Sequence, residues 1–258
     1  MWKKRLQMVL WIMLGVGTCT LLVAAMQKKD QKNCTAIDIK ISGAFDHVFV
    51  DKDDVMKVLQ KHGAGKGKET NEVALRSIED ALEKNAWIKK AELFFDNKQV
   101  LHAEIEEREP LARIFTLAGS SFYIDSSCLR LPLSDELSAR VPMFTSFPSD
   151  KKKLSKPDSL VMDDVKHIAQ YIQQDSFLMA QVAQIDITPQ RTYEIIPVLG
   201  DQIIKLGNAD NLQEKFEKLI SFYKQVWAKA GFEKYETIDV QYSGQVVAVK
   251  RGSGKVYM

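Results

Sequence analysis

Residues 61–70, KHGAGKGKET, interleave glycine and lysine in a way that could cradle a phosphate. A Walker-type loop needs G-x-x-x-x-G-K followed directly by Ser or Thr, so that backbone N–H groups face the phosphates and the hydroxyl reaches the metal. No window here has that spacing, because Glu69 separates Lys68 from Thr70. The stretch reads as a flexible turn between helices. His47, His62, His102 and His167 are scattered, with no H-E-x-x-H or H-x-x-x-H pair, and read as solvated surface. Ser120, Ser121, Ser126 and Ser127 lie in turn-like settings without a G-x-S-x-G elbow. In EIEERE, Glu104 and Glu106 could be paired carboxylates for glycoside chemistry, but period-two alternation puts both on the outer face of an amphipathic strand. The lysines at 151–153 read as a solvated loop. Nothing marks a catalytic residue, a metal site or a cofactor, so the expectation is a protein that is not an enzyme.

The 258 residues carry 36 Lys+Arg and 34 Asp+Glu. Lys3, Lys4 and Arg5 sit in an acid-free N-terminal stretch, so the remainder is neutral and not that of a nucleic-acid binder. Cys19, Cys34 and Cys128 form no CxxC. A Cys34–Cys128 bridge stays open beside the commoner fate of buried free thiols.

From Met8 to Met26, 19 residues run without charge or proline. As a helix they would cover roughly 28 Å, close to the apolar thickness of a bilayer. The run is longer than a signal-peptide core and no clean A-x-A site follows, so an uncleaved anchor is favoured over a cleaved leader. The seven-residue tail before it and the long chain after it favour a cytoplasmic N-terminus.

Residues 27–34 read as a polar linker. Beyond them Ile37, Ile39 and Ile41 alternate as in a half-buried strand. Asp51 can cap a helix with Asp53 and Asp54 in its first turn, an apolar stripe of Val55, Val58 and Leu59, and a stop at Gly63. A second helix is expected from Asn71 to Asn85, with Leu75, Ile78 and Leu82 at helical spacing. Two strands follow, the second with Leu101, Ala103 and Ile105 on one face. This β-α-α-β-β order makes a three-stranded sheet under two helices over residues 35–108. Residues 109–258 read as a second α+β domain. It has short strands in 111–147, a helix with Val161, Val165, Ile168 and Ile172 on one face, and strands at about 182–188 and 192–199. A hairpin around Gly200-Asp201 and a helix with Leu212, Phe216, Leu219, Ile220, Tyr223 and Trp227 on one side, stopped by Gly231, precede a final stretch that makes the last strand pair. That stretch alternates through Ile238, Val240 and Tyr242, then becomes apolar on both faces in Val246-Val247-Ala248-Val249.

The order of pieces resembles the bacterial cell-division family FtsQ/DivIB. Trp87 and Ile88, then Glu107, Arg108, Pro110, Ala112 and Arg113, match the end of its POTRA module and the exit from it. FYID at 122–125, LPLS at 131–134, VLGDQIIKLG at 198–207, KFEKLISFY at 215–223 and IDVQYSGQVVAVK at 238–250 follow in the family's order. Two positions depart: Cys128 stands where many members have glycine, and Gln241 where an arginine often precedes the last-strand tyrosine. The insert around 149–158 looks most similar to versions from the Bacteroidota.

The resemblance implies a single N-terminal transmembrane helix, a POTRA domain, and a mostly antiparallel β domain with two flanking helices. It further implies a single-pass protein of the cell inner membrane at the division septum, its folded domains periplasmic. The implied role is a scaffold linking early and late division proteins and helping control septal peptidoglycan synthesis. Its implied partners resemble FtsB and FtsL, with the septal wall synthase complex beyond them and no nucleic acid. The partner would add a strand beside the one running from Ile238 to Lys250. Tyr242, Ser243 and Gly244 match the family's partner-contacting turn, and Gln245, Val246, Val247, Ala248 and Val249 extend that site by position. The competing reading is a POTRA-type chaperone in secretion or outer-membrane assembly. Such proteins carry POTRA modules in series before a barrel, whereas one module and no barrel signal stand here.

Overall fold

The computed structural model describes residues 11, 13–21, 32–43, 49–134, 137–227 and 231–252. The chain divides into two compact units, Met1–Glu107 and Arg108–Met258. Much of the expected span from Met8 to Met26 lies outside the described residues, as does His47. Within the span, residue 11 and residues 13–21 are helical. No helix among the described residues is long and apolar enough to cross a membrane.

The first unit holds β1 (Ala36–Ser42), α1 (Lys52–Lys61), α2 (Leu75–Leu82), β2 (Ile88–Phe95) and β3 (Val100–Glu107). Its sheet has the order β1-β3-β2, with β1 parallel and β2 antiparallel to the central β3. Local chemistry sets the helix limits. The Asp51 carboxylate accepts from the Asp53 N–H, and Gly63 takes φ +82° just after α1, where its N–H returns to the Gln60 carbonyl at 3.0 Å.

The second helix is shorter than expected, because Val73 is buried in extended conformation ahead of it and residues 70–72 form a separate 3₁₀ turn. Part of the expected linker is also tied down. Cys34 is buried, its N–H donates to the Lys68 carbonyl at 2.8 Å, and the Gly67 N–H returns to the Cys34 carbonyl at 2.8 Å. The glycine-lysine stretch thus pairs with the segment leading into β1.

Glu107 closes β3 as a buried carboxylate that accepts the Phe49 N–H, while Phe49 stacks on Trp87 with centroids 3.8 Å apart. Burial pushes this carboxyl up, against the opposing pull of the Phe49 and Val50 N–H groups. An acid with a raised folded pKa holds its proton more tightly in the native state. The unit therefore gains stability as pH falls through that raised value towards 4.5, by about 1.4 kcal/mol for each pH unit of displacement. Urea midpoints followed by pulse proteolysis within 49–107 are expected to rise as pH falls from 7 towards 4.5. In Glu107→Gln that rise is expected to vanish.

The second unit is a nine-stranded sheet with the order β12-β11-β10-β9-β8-β7-β4-β5-β6. Its strands are β4 (Ala112–Thr116), β5 (Ser121–Ile124), β6 (Arg130–Leu131), β7 (Met143–Phe147), β8 (Val182–Ile187), β9 (Tyr193–Pro197), β10 (Ile203–Gly207), β11 (Tyr235–Asp239) and β12 (Val247–Lys250). Five of the eight pairings among the described residues are antiparallel, as expected of a mostly antiparallel sheet, while β4–β7, β7–β8 and β10–β11 are parallel. A parallel pair needs a crossover. Helices α3 (Lys156–Gln173) and α4 (Ser176–Gln181) supply it between β7 and β8, and α5 (Leu212–Phe222) between β10 and β11.

Register lines up Phe122, Ile114, Phe144, Ile185, Ile195, Ile204 and Ile238 in one row across seven strands. All are buried with Val161, Val165, Ile168 and Ile172 of α3 and Phe216 and Leu219 of α5, so the helices cover that face. Each such side chain contributes about 1.5–3 kcal/mol relative to exposure. One residue along, Thr145, Asp186, Glu194, Lys205 and Asp239 form the row on the opposite, polar face. The connection between β9 and β10 spans residues 198–202, longer than a two-residue turn. Gly200 does take the positive φ of +84°.

Candidate functional site

The expected strand from Ile238 to Lys250 is two strands joined by a turn. β11 ends at Asp239, and β12 pairs antiparallel to it with Ile238 opposite Ala248 and Asp239 opposite Val247. Val240 is still buried, its N–H donating to the Lys205 carbonyl at 3.1 Å. The chain then leaves the sheet: Gln241 turns on the Asp239 carboxylate, which accepts its N–H at 3.0 Å. Tyr242 therefore does not continue the buried alternation; it is 54% exposed.

Tyr242, Ser243, Gly244 and Gln245 are all exposed, and Gly244 takes φ +71°. A Cβ there would meet nothing within 4 Å, so the glycine serves the turn's backbone rather than close packing. Val246 is half-buried against the core.

Helix α5 grips this turn. The Glu214 carboxylate accepts from the Gly244 N–H at 2.9 Å and from Ser243 Oγ at 3.1 Å, while Lys218 Nζ donates to the Tyr242 carbonyl. Hydrogen bonds from Gly244, Ser243 and Lys218 hold the Glu214 carboxyl below the usual range. At the far end of β12, the Arg251 N–H donates to the Lys234 carbonyl at 3.0 Å and its guanidinium makes a two-pronged pair with Asp201.

Among the described residues β12 ends the sheet, with β11 its one neighbour. Its apolar residues face outward: Val247 is 42% and Val249 44% exposed, with Ala248 half-buried on the core side. Val249 lies opposite Thr237, and Thr237 opposite Ile203, itself 42% exposed. The polar face of the sheet thus becomes apolar towards this edge.

The edge strand β2 of the first unit is built differently. Its Ala91 and Leu93 N–H groups are taken by the Glu83 and Glu79 carboxylates of and after α2, at 3.2 and 2.8 Å. Lys89, Lys90 and Glu92 stand exposed along it. Charged, capped edges resist further pairing, whereas a β-branched apolar edge invites it.

The other residues singled out by type stay apart. His102 sits between Asp38 and Asp96, at 3.3 and 3.4 Å, and His62 and His167 are exposed. Glu104 is exposed and Glu106 pairs with Lys89 at 2.6 Å. Among the described residues no group of three or more His, Cys, Asp or Glu is placed to hold a metal ion. Cys19, Cys34 and Cys128 are free thiols.

The turn is legible in the sequence, whereas Glu214 and Lys218, which hold it, are not. Their i, i+4 spacing in the first turns of α5 is a common surface pattern and carries no signal of its own. The Ser243-Gly244 dipeptide between two apolar runs was the available sign of a hairpin.

A β-α-α-β-β module followed by a mixed, β-rich sheet defines a protein of POTRA-like and β domains in series. The module matches the POTRA-like domain model over residues 32–106, and residues 109–249 match the model described as FtsQ/DivIB, C-terminal related. The chain belongs to the FtsQ/DivIB family, which places its role in cell division. It is similar to the cell division protein FtsQ of Salinibacter ruber, of the Bacteroidota, with 27% identity over 72% of this chain and 74% of that one. It is also similar to the cell division protein FtsQ of Geotalea daltonii, with 22% identity over 75% of this chain and 70% of that one.

Proposed function

We propose that the protein is a non-enzymatic scaffold of the division septum that captures an FtsB-like partner, together with an FtsL-like one, by strand addition at β12. It joins early to late division proteins and so helps control septal peptidoglycan synthesis by the wall synthase. The observation that carries this reading is the exposed pair Val247 and Val249 on a strand that, among the described residues, lies at the sheet edge with one neighbour. An incoming extended segment satisfies the strand's unpaired N–H and C=O groups, and its alternate side chains meet those valines.

The anchor is the apolar stretch from Met8 to Met26, with the N-terminus cytoplasmic and both folded units periplasmic. Trp11, Met13, Leu14, Val16 and Leu21 are 57–72% exposed. Thr18 and Thr20 return their hydroxyls to the Leu14 and Gly17 carbonyls at 3.0 and 2.9 Å, as an apolar surround demands.

Tyr242→Glu in the full-length chain tests the reading. Aromatic anchors dominate interfaces, so a loss of about 2 kcal/mol or more, at least 30-fold, is expected in capture of the FtsB-like protein. Cells relying on the variant are expected to filament, and the unfolding midpoint to stay put. Normal division with outer-membrane defects instead would favour the secretion-chaperone reading.

A further inference from the structure

Between the buried Val240 and the half-buried Val246, five consecutive residues are exposed. No core contact fixes the turn they form. Its geometry comes from hydrogen bonds: Gln241 on the Asp239 carboxylate, then Tyr242, Ser243 and Gly244 on Glu214 and Lys218. These last two sit one helical turn apart on α5, 3.3 Å from each other, and α5 is packed into the core through Phe216 and Leu219.

We infer that Glu214 and Lys218 are positioning residues for partner capture: they transfer the rigidity of α5 to the turn and so fix where β12 begins and which way Tyr242 faces. The inference rests on the reading of β12 as the docking edge. β12 has four residues and one ladder partner, too little to hold its own register. Without the α5 grip, the five-residue turn would be ordered only on binding. That entropy would be taken from the affinity. Neither side chain needs to touch the partner for this effect, and neither belongs to the apolar core cluster, although the Lys218 side chain is only 14% exposed.

The test is titration of the purified extracytoplasmic segment of the FtsB-like protein from the same organism against the full-length chain in detergent, with amide exchange of Gly244 in parallel. Glu214→Ala is expected to weaken binding by roughly five- to tenfold. It should also speed Gly244 exchange and leave the unfolding midpoint unchanged. Glu214→Gln, whose amide oxygen still accepts from Gly244 and Ser243, is expected to recover most of the affinity, and Lys218→Met to fall between the two. Unchanged affinity in Glu214→Ala, while proline in β12 abolishes binding, would overturn the positioning role and leave the docking edge intact. An equal loss in the Ala and Gln variants with a lowered midpoint would reduce the pair to a structural contact and overturn it as well. If proline in β12 leaves binding intact, the docking edge fails, and this inference falls with it.

Discussion

Asp125→Ala is expected to destabilise the β unit by roughly 3–5 kcal/mol, a large part of the total stability of a domain this size. Asp125 is buried at the end of β5 and is the hub of its turn. One carboxylate oxygen accepts from the Ser127 N–H, Ser127 Oγ and the Leu129 N–H at 2.9, 2.6 and 2.9 Å, and the other accepts from Arg108 Nη1 at 2.9 Å. Alanine would strand all four donors. Arg108 suffers most, because its Nε is already buried without a hydrogen-bond partner.

The carboxylate takes the N–H groups on either side of Cys128, and the Asp125 backbone carbonyl accepts the Cys128 N–H at 2.9 Å, so the turn sets Cys128 at φ +64°, a conformation that costs a non-glycine residue about 1–2 kcal/mol. A glycine would adopt this conformation without that cost. Burial pushes the Asp125 carboxyl up, but the bonds from Ser127, Leu129 and Arg108 outweigh it and hold the group below its ordinary value. Its contribution is therefore complete above pH 3.8 and lost as pH falls through the depressed folded value. Thermal melts of the full chain at pH 7 and pH 3 check both statements: the variant should melt lower at pH 7, and the difference should narrow in acid.

What the sequence disclosed was local. The start of α1 at Asp51 and its stop at Gly63 depend on side-chain chemistry within a few residues, and both were legible. So was the core face of α3, because Val161, Val165, Ile168 and Ile172 repeat at helical spacing. The parallel pairs β7–β8 and β10–β11 were not, since a strand of five residues looks alike whichever way its neighbour runs.

Tyr242 misled for a related reason. Period-two alternation through Ile238 and Val240 continues on paper, but the sheet ends where Gln241 turns on Asp239. The grip of Glu214 and Lys218 on the turn joins residues some thirty positions apart, and no local pattern announces it. The candidate edge itself was half legible: Val247 and Val249 stood out as apolar at the chain's end. Only pairing showed that they flank an edge with one neighbour.

Proline in β12 is expected to have the second large effect. Successive residues of a strand direct their N–H groups to opposite sides, so one of Ala248 and Val249 donates towards β11 and the other outward. Ala248→Pro and Val249→Pro each remove one donor. Both are expected to weaken partner capture by roughly 30- to 100-fold, equivalent to about 2–3 kcal/mol. Only the proline that faces β11 should also lower the unfolding midpoint, because it breaks the ladder within the unit. The outward-facing proline separates docking from folding.

Affinity purification of the membrane form, with mass spectrometry of what accompanies it, compared between the natural chain and these two proline variants, tests the central claim most directly. The account predicts an FtsB-like protein recovered with the natural chain and lost from both variants, one of which keeps the natural unfolding midpoint. Equal recovery from all three would contradict it.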